Sequence, residues 1–207
     1  MTELLAAMNP VTVATFLGAG ILLNLTLGAD VVFASASGMS GGWRAGVAAA
    51  FGISLGSLFH VSMAALGLSA LLLALPHAFD VIRWLGAGYL AYLAWRAWNA
   101  QADLPAGRGA KGLRHAVLRG FLTNALNPKV ALFVLAFLPQ FTDPAIGALW
   151  PQMLLLGAMF CVTGFVITAA YGAASGLFGA VLQRRLRLMN RITAIVFGGL
   201  AARLVLD

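Results

Sequence analysis

The chain has 207 residues, 61% of them hydrophobic and only 9% charged, with a formal net charge of +7 and a mean hydropathy of +0.93. Soluble globular domains carry about a quarter charged residues, so 13 Lys+Arg and 6 Asp+Glu exclude that class and indicate a membrane protein. The single Cys161 excludes an intramolecular disulfide and reads as a small, inert core residue.

The opening MTELLAAMNP has no Lys or Arg and carries Glu3. It lacks the basic region of a cleaved signal peptide, so the first apolar segment is expected to stay in the mature protein. A bilayer core about 30 Å thick takes roughly 20 apolar residues per helix. On that measure charge, Pro and Gly divide the chain into six spans, at about 11–36, 45–75, 80–98, 116–140, 149–181 and 190–206. The second and fifth exceed a straight crossing, and tilt or bending near Gly52 and Gly56, or near Gly164 and Gly172, would accommodate them. The predicted fold class is all-α and polytopic.

The first span is interrupted at TLGAD (26–30), where Gly28 permits unwinding. The second carries Gly52, Gly56, His60 and Ala64 at four-residue intervals, a small-residue stripe that lets another helix approach closely. After the third span comes the one linker, NAQADLPAGRGAKGLRH (99–115). It separates a first three-helix half (1–98) from a second (116–207). Three crossings apart, the halves enter the membrane with opposite orientation, which is a known transporter plan. The fourth span is interrupted at NALNPKVAL (124–132), where Pro128 removes a backbone donor and disfavours helix at Asn127.

Positive residues stay on the cytoplasmic side, and ten of the thirteen fall on one side: Arg44, Arg96, Arg108, Lys111, Arg114, Arg119, Arg184, Arg185, Arg187 and Arg191. Arg83 and Arg203 fall opposite, and Lys129 lies within the fourth span. Both termini are therefore expected outside. Membrane topology and anionic lipid account for the basic charge; the basic loops lack the interleaved aromatics of a nucleic-acid surface. Trp43, Trp84, Trp95, Trp98 and Trp150 fall near segment ends, as interfacial anchors do.

Each helix break carries a charge, Asp30 in one and Lys129 in the other. A charge inside a span costs a few kcal/mol or more, so one that persists faces the bundle interior with a partner or a task. Two readings follow. In one, Asp30 and Lys129 form a structural pair, or Lys129 snorkels to the interface. In the other they flank a ligand cavity with Thr26, Gly28, Asn124, Asn127 and Pro128, suited to an amino acid's ammonium and carboxylate. Asp30 would then bind the ammonium or a coupling proton, and Lys129 the carboxylate. His60 is a second candidate for proton coupling because imidazole titrates near neutrality, against a plain hydrogen-bonding role. His77 and His115 read as surface residues. No ligand spacing indicates a metal, and GISLGS lacks the context and Lys of a phosphate loop, so neither cofactor nor ATP drive is indicated.

Four stretches together resemble the LysE/RhtB family of amino acid exporters, the lysine exporter and homoserine/threonine resistance group: SGGWRAGVAAAFGISLGSLFHVSMAALGLSALL (40–72), WLGAGYLAYLAWRAW (84–98), FLTNALNPKVALFVLAFLPQF (121–141) and NRITAIVFGGLAARL (190–204). The resemblance implies a six-helix carrier of the bacterial inner membrane, often dimeric, that exports amino acids or close relatives on the proton motive force and is not an enzyme. Where that family usually has Pro-Gly-Pro followed by Asp or Asn, this chain has Leu27-Gly28-Ala29-Asp30. With both prolines missing, the first break is expected to be softer and helix one closer to continuous. Thr193 and Ala194 stand where the family tends to have Gly. The alternatives are a membrane enzyme or assembly factor using Asp30 as acid or base, or a member with impaired transport.

Overall fold

The structure, a computed structural model, describes the backbone of residues 2–68, 78–99, 109–110 and 112–206. Its described residues form helices and no strand: α1 (Thr2–Ala7), α2 (Pro10–Leu25), α3 (Ala29–Gly41), α4 (Trp43–Met63), α5 (Ala78–Trp98), α6 (Leu113–Ala125), α7 (Pro128–Phe137) and α8 (Leu149–Leu206). A π-helical turn, Ala64–Leu68, continues α4, and 3-10 turns at Leu138–Phe141 and Pro144–Ile146 follow α7. The expected linker falls largely outside the described residues, as does His77. Gly109 and Ala110 are placed, with the Ala110 amide donating to Ser37 Oγ at 3.1 Å.

Trp43–Gly67 and Leu149–Ser175 are each long and apolar enough to cross a membrane, and the bent pairs α2–α3 and α6–α7 raise the number to as many as four. Six crossings were expected. Among the described residues α5 and the part of α8 beyond Ser175 do not meet that measure. In α5 the reason is composition: two Tyr, three Trp, Arg83 and Arg96 dilute its aliphatic residues.

The course of α8 bears on this count. Its 58 residues would stretch about 87 Å as one straight helix at 1.5 Å per residue. Yet Gln152 near its start lines a cavity with Asn9 and Phe141, and Leu200 and Arg203 near its end line another with the same two residues. The segment therefore doubles back, bringing its first arm (149–175) and its second (190–206) to the same end of the bundle.

Small residues set the helix contacts. Gly42, at φ 79°, takes a backbone conformation that favours glycine and turns the chain from α3 into α4. On α4, Gly52 abuts the α6 backbone at Val117 and Phe121, and a Cβ at Gly56 would lie 2.7 Å from Asn124 Cβ; the numbering rises together, so α4 and α6 run parallel. Gly46 meets the Gly172 backbone and Gly157 meets Val61, so the first arm of α8 runs antiparallel to α4. Arg191 lies over Trp98 and Gly198 faces Ala94, so the second arm runs antiparallel to α5. Thr193 and Ala194 are buried.

The main core sits toward the Asn9 and Phe141 end. Phe16, Phe133, Phe137 and Phe160 are each about 1% exposed and stack through ring-centroid distances of 4.8 to 6.3 Å. All five tryptophans are exposed, on the outer surface where a belt would lie.

Candidate functional site

Both expected breaks exist. The helix axis bends by 51° between α2 and α3 and by 54° between α6 and α7. The first break is not softer than the second, which corrects the expectation drawn from the missing prolines. Its backbone leaves the helix at Thr26 (φ −70°, ψ 131°) and Gly28 (φ −159°, ψ −177°), an extended course open to any residue. Glycine is therefore not needed there for its φ. In the second break, Asn127 is extended (φ −83°, ψ 106°), the conformation a following proline imposes.

What holds the first break open comes from the second. A broken helix exposes carbonyls at one end and amides at the other, unsatisfied and carrying partial charges of opposite sign. Lys129 Nζ donates to Leu23 O at 2.8 Å and to Thr26 O at 3.1 Å, placing a cation on the carbonyl end of α2. Asp30 occupies the first turn of α3, where the helix dipole favours an anion. Its Oδ2 accepts from Asn124 Nδ2 at 2.9 Å and from Asn127 Nδ2 at 3.1 Å. Asn127 also caps α7, its Oδ1 accepting from the Lys129 amide at 3.0 Å. The two charges thus do not need each other as a direct pair; each answers a backbone end or an amide of the opposing segment.

His60 joins the same network. Its Nε2 lies 3.0 Å from Asn124 O; a carbonyl can only accept, so this nitrogen carries the proton. Ser57 Oγ donates to Asn124 Oδ1 at 3.3 Å. The stripe on α4 therefore packs α6 and also closes its last turn.

A cavity of about 500 Å³ lies beside the breaks, lined by Thr26, Gly28, Asn127, Pro128 and Lys129 from them. Asp30 is not on that wall. It lines a separate void of about 10 Å³ that shares Thr26, Gly28 and Lys129 with the larger cavity, so these three residues stand between the two spaces. In the small void Asp30 Oδ1 and Asn24 Nδ2 are sealed from solvent without a hydrogen-bond partner. Asn124 lies behind Asp30, and His60 one bond further. His115 is exposed and apart from the site.

The opposite wall carries Tyr89, Tyr92 and Arg96 of α5, of which only Arg96 stands out in the sequence, as a topological charge. Their spacing i, i+3, i+7 puts them on one helix face. That periodic polar stripe was the signal in the sequence. Tyr89 OH donates to Pro128 O at 3.4 Å, tying α5 to the break.

A model of the LysE type translocator matches residues 21–207. The chain belongs to that family. An uncharacterized membrane protein of Vibrio cholerae is 30% identical over 188 residues, 89% of this chain and 91% of its own length. A leucine efflux protein of Klebsiella pneumoniae is 28% identical, over 92% of each chain. A homoserine/homoserine lactone efflux protein of Salmonella typhimurium is 27% identical, over 85% of this chain and 87% of its own. No solved structure matches. The family is one of translocators.

Proposed function

We propose that this LysE type translocator is a secondary carrier that exports amino acids or close derivatives across the bacterial inner membrane, driven by protons. The observation that carries the reading is the meeting of two broken helices, where Lys129 of the second caps the carbonyl end of the first and Asp30 of the first holds Asn124 and Asn127 of the second, beside a cavity of about 500 Å³. Irregular backbone at membrane depth is tolerated where it lines a cavity, and carriers place their sites there. The named activities of the leucine and homoserine efflux relatives support the amino acid as cargo.

In this reading the substrate lies against Thr26, Gly28, Asn127 and Pro128, with its carboxylate toward the remaining donor of Lys129. Asp30, one layer behind and with one oxygen unpartnered, carries the coupling proton. His60 holds the second break in shape through Asn124. The doubling back of α8 and the alternating directions of its neighbours support six crossings in two inverted halves.

The test is efflux from proteoliposomes under an imposed pH gradient. The unaltered chain is expected to move amino acids faster with the gradient than without it. Asp30→Asn keeps the shape and one acceptor oxygen but cannot titrate; it should lose at least tenfold in gradient-driven rate while retaining exchange between equal pools. Normal rate and normal pH dependence in that variant would remove Asp30 from the coupling step.

A further inference from the structure

The cavity wall has a charge balance that selects its cargo. It holds two cations, Lys129 and Arg96, and no carboxylate among its described residues. The two are not equivalent. Lys129 already gives two of its three donors to the carbonyl end of α2, and its charge is balanced by those carbonyls and by Asp30 behind it. Arg96 stands on the α5 wall with its guanidinium 5.9 Å from the Tyr92 ring, a distance at which the ring face steadies a cation. It is seven residues, or about 10 Å, along the helix from Tyr89, which touches the break itself. A substrate seated at the break therefore extends its side chain along the Tyr89, Tyr92 and Arg96 face.

Building on the exporter reading, we infer that Arg96 is the specificity-determining residue of this cavity: it excludes amino acids with cationic side chains, so the cargo is neutral or acidic. A like charge about 8 Å away at an effective dielectric of about 20 disfavours occupancy by more than tenfold. A neutral side chain meets no such barrier, and an acidic one is attracted. The tyrosine rings supply apolar surface for an aliphatic side chain.

The experiment is uptake of labelled leucine or homoserine by counterflow into proteoliposomes holding the full chain, with unlabelled leucine, homoserine, glutamate and lysine as competitors. The unaltered protein should be inhibited by the first three and at least tenfold more weakly by lysine. Arg96→Lys should preserve that discrimination, Arg96→Gln should bring lysine to within a few-fold of leucine, and Arg96→Glu should place lysine above glutamate. Two results overturn the assignment while the exporter reading stands: lysine competing as well as leucine in the unaltered protein, or lysine still excluded by an Arg96→Gln variant that exchanges leucine or homoserine. Counterflow of neither label in the unaltered protein, with no inhibition by any competitor, would overturn the exporter reading and this inference together. Thermal shifts of the detergent-purified variants with each amino acid separate loss of binding from loss of fold.

Discussion

Asn124 ties three helices to one point. Its Nδ2 donates to Asp30 on α3, its Oδ1 accepts from Ser57 on α4, and its carbonyl accepts from His60 on α4 as well as from the Asn127 amide. Losing one of the two hydrogen bonds to this carbonyl, the Asn127 amide remaining, costs about 0.5–1.5 kcal/mol. His60→Leu should therefore destabilise the purified protein by an amount in that range, read as a lowered melting temperature, whereas His60→Gln retains an N–H donor and should recover much of it. The same pair separates the two roles that the sequence left open for His60. If gradient-driven efflux survives in a folded His60→Gln protein, the histidine is a cap; if efflux is lost while thermal stability is kept, it is a proton carrier. Asp30 and Lys129 were legible as candidate residues because a charge in a span needs a reason. Their mode of satisfaction was not, since which carbonyl or amide a charge meets depends on how two distant segments cross.

At the scale of elements, glycines decide which helices touch. Gly46 and Gly172 meet backbone to backbone, and a Cβ on Gly172 would lie 2.8 Å from Gly46 Cα. Gly46→Leu should separate α4 from α8 at a cost of about 1–3 kcal/mol or more, read as loss of folded, monodisperse protein after detergent extraction. Gly18 and Gly88 also lie within helices, but a Cβ at either meets nothing within 4 Å. Gly18→Ala and Gly88→Ala should be neutral or stabilising by up to about 1 kcal/mol, the usual gain of Ala over Gly in a helix. If all three substitutions behave alike, close approach is not what Gly46 provides. The stripe on α4 was readable because four-residue spacing is a helical period, and the proline break was readable because Pro128 lacks an N–H. The depth of the first bend was misjudged. A bend held open by Lys129 from another helix leaves no mark in the local sequence. The cavity-facing side of α5 was marked only by the spacing of Tyr89, Tyr92 and Arg96, because an arginine near a span end serves topology and chemistry with the same charge.

At the scale of the whole molecule, the proposed number and direction of crossings rest on two independent lines. The first is charge: ten of thirteen Lys and Arg fall on one side of the six expected spans. The second is geometry. α4 runs parallel to α6 and antiparallel to the first arm of α8, and the second arm of α8 runs antiparallel to α5, the directions that six alternating crossings require. The ends of the chain then share a side: Asn9, just after α1, lies against the cavity that holds Arg203. Because Lys and Arg are retained in the cytoplasm, that shared side is proposed to be the exterior. Single cysteines placed by Thr2→Cys, Ala106→Cys, Leu186→Cys and Asp207→Cys, each in a Cys161→Ala background, should divide in intact cells. The two terminal sites should react with a membrane-impermeant maleimide, and the two in the basic loops should react only after permeabilisation. Protection of the cysteine at 207 with labelling of the one at 2 would mean an odd number of crossings. The second arm of α8 would then lie along the surface of the bundle rather than through the membrane, and the two halves would no longer be inverted copies of one plan.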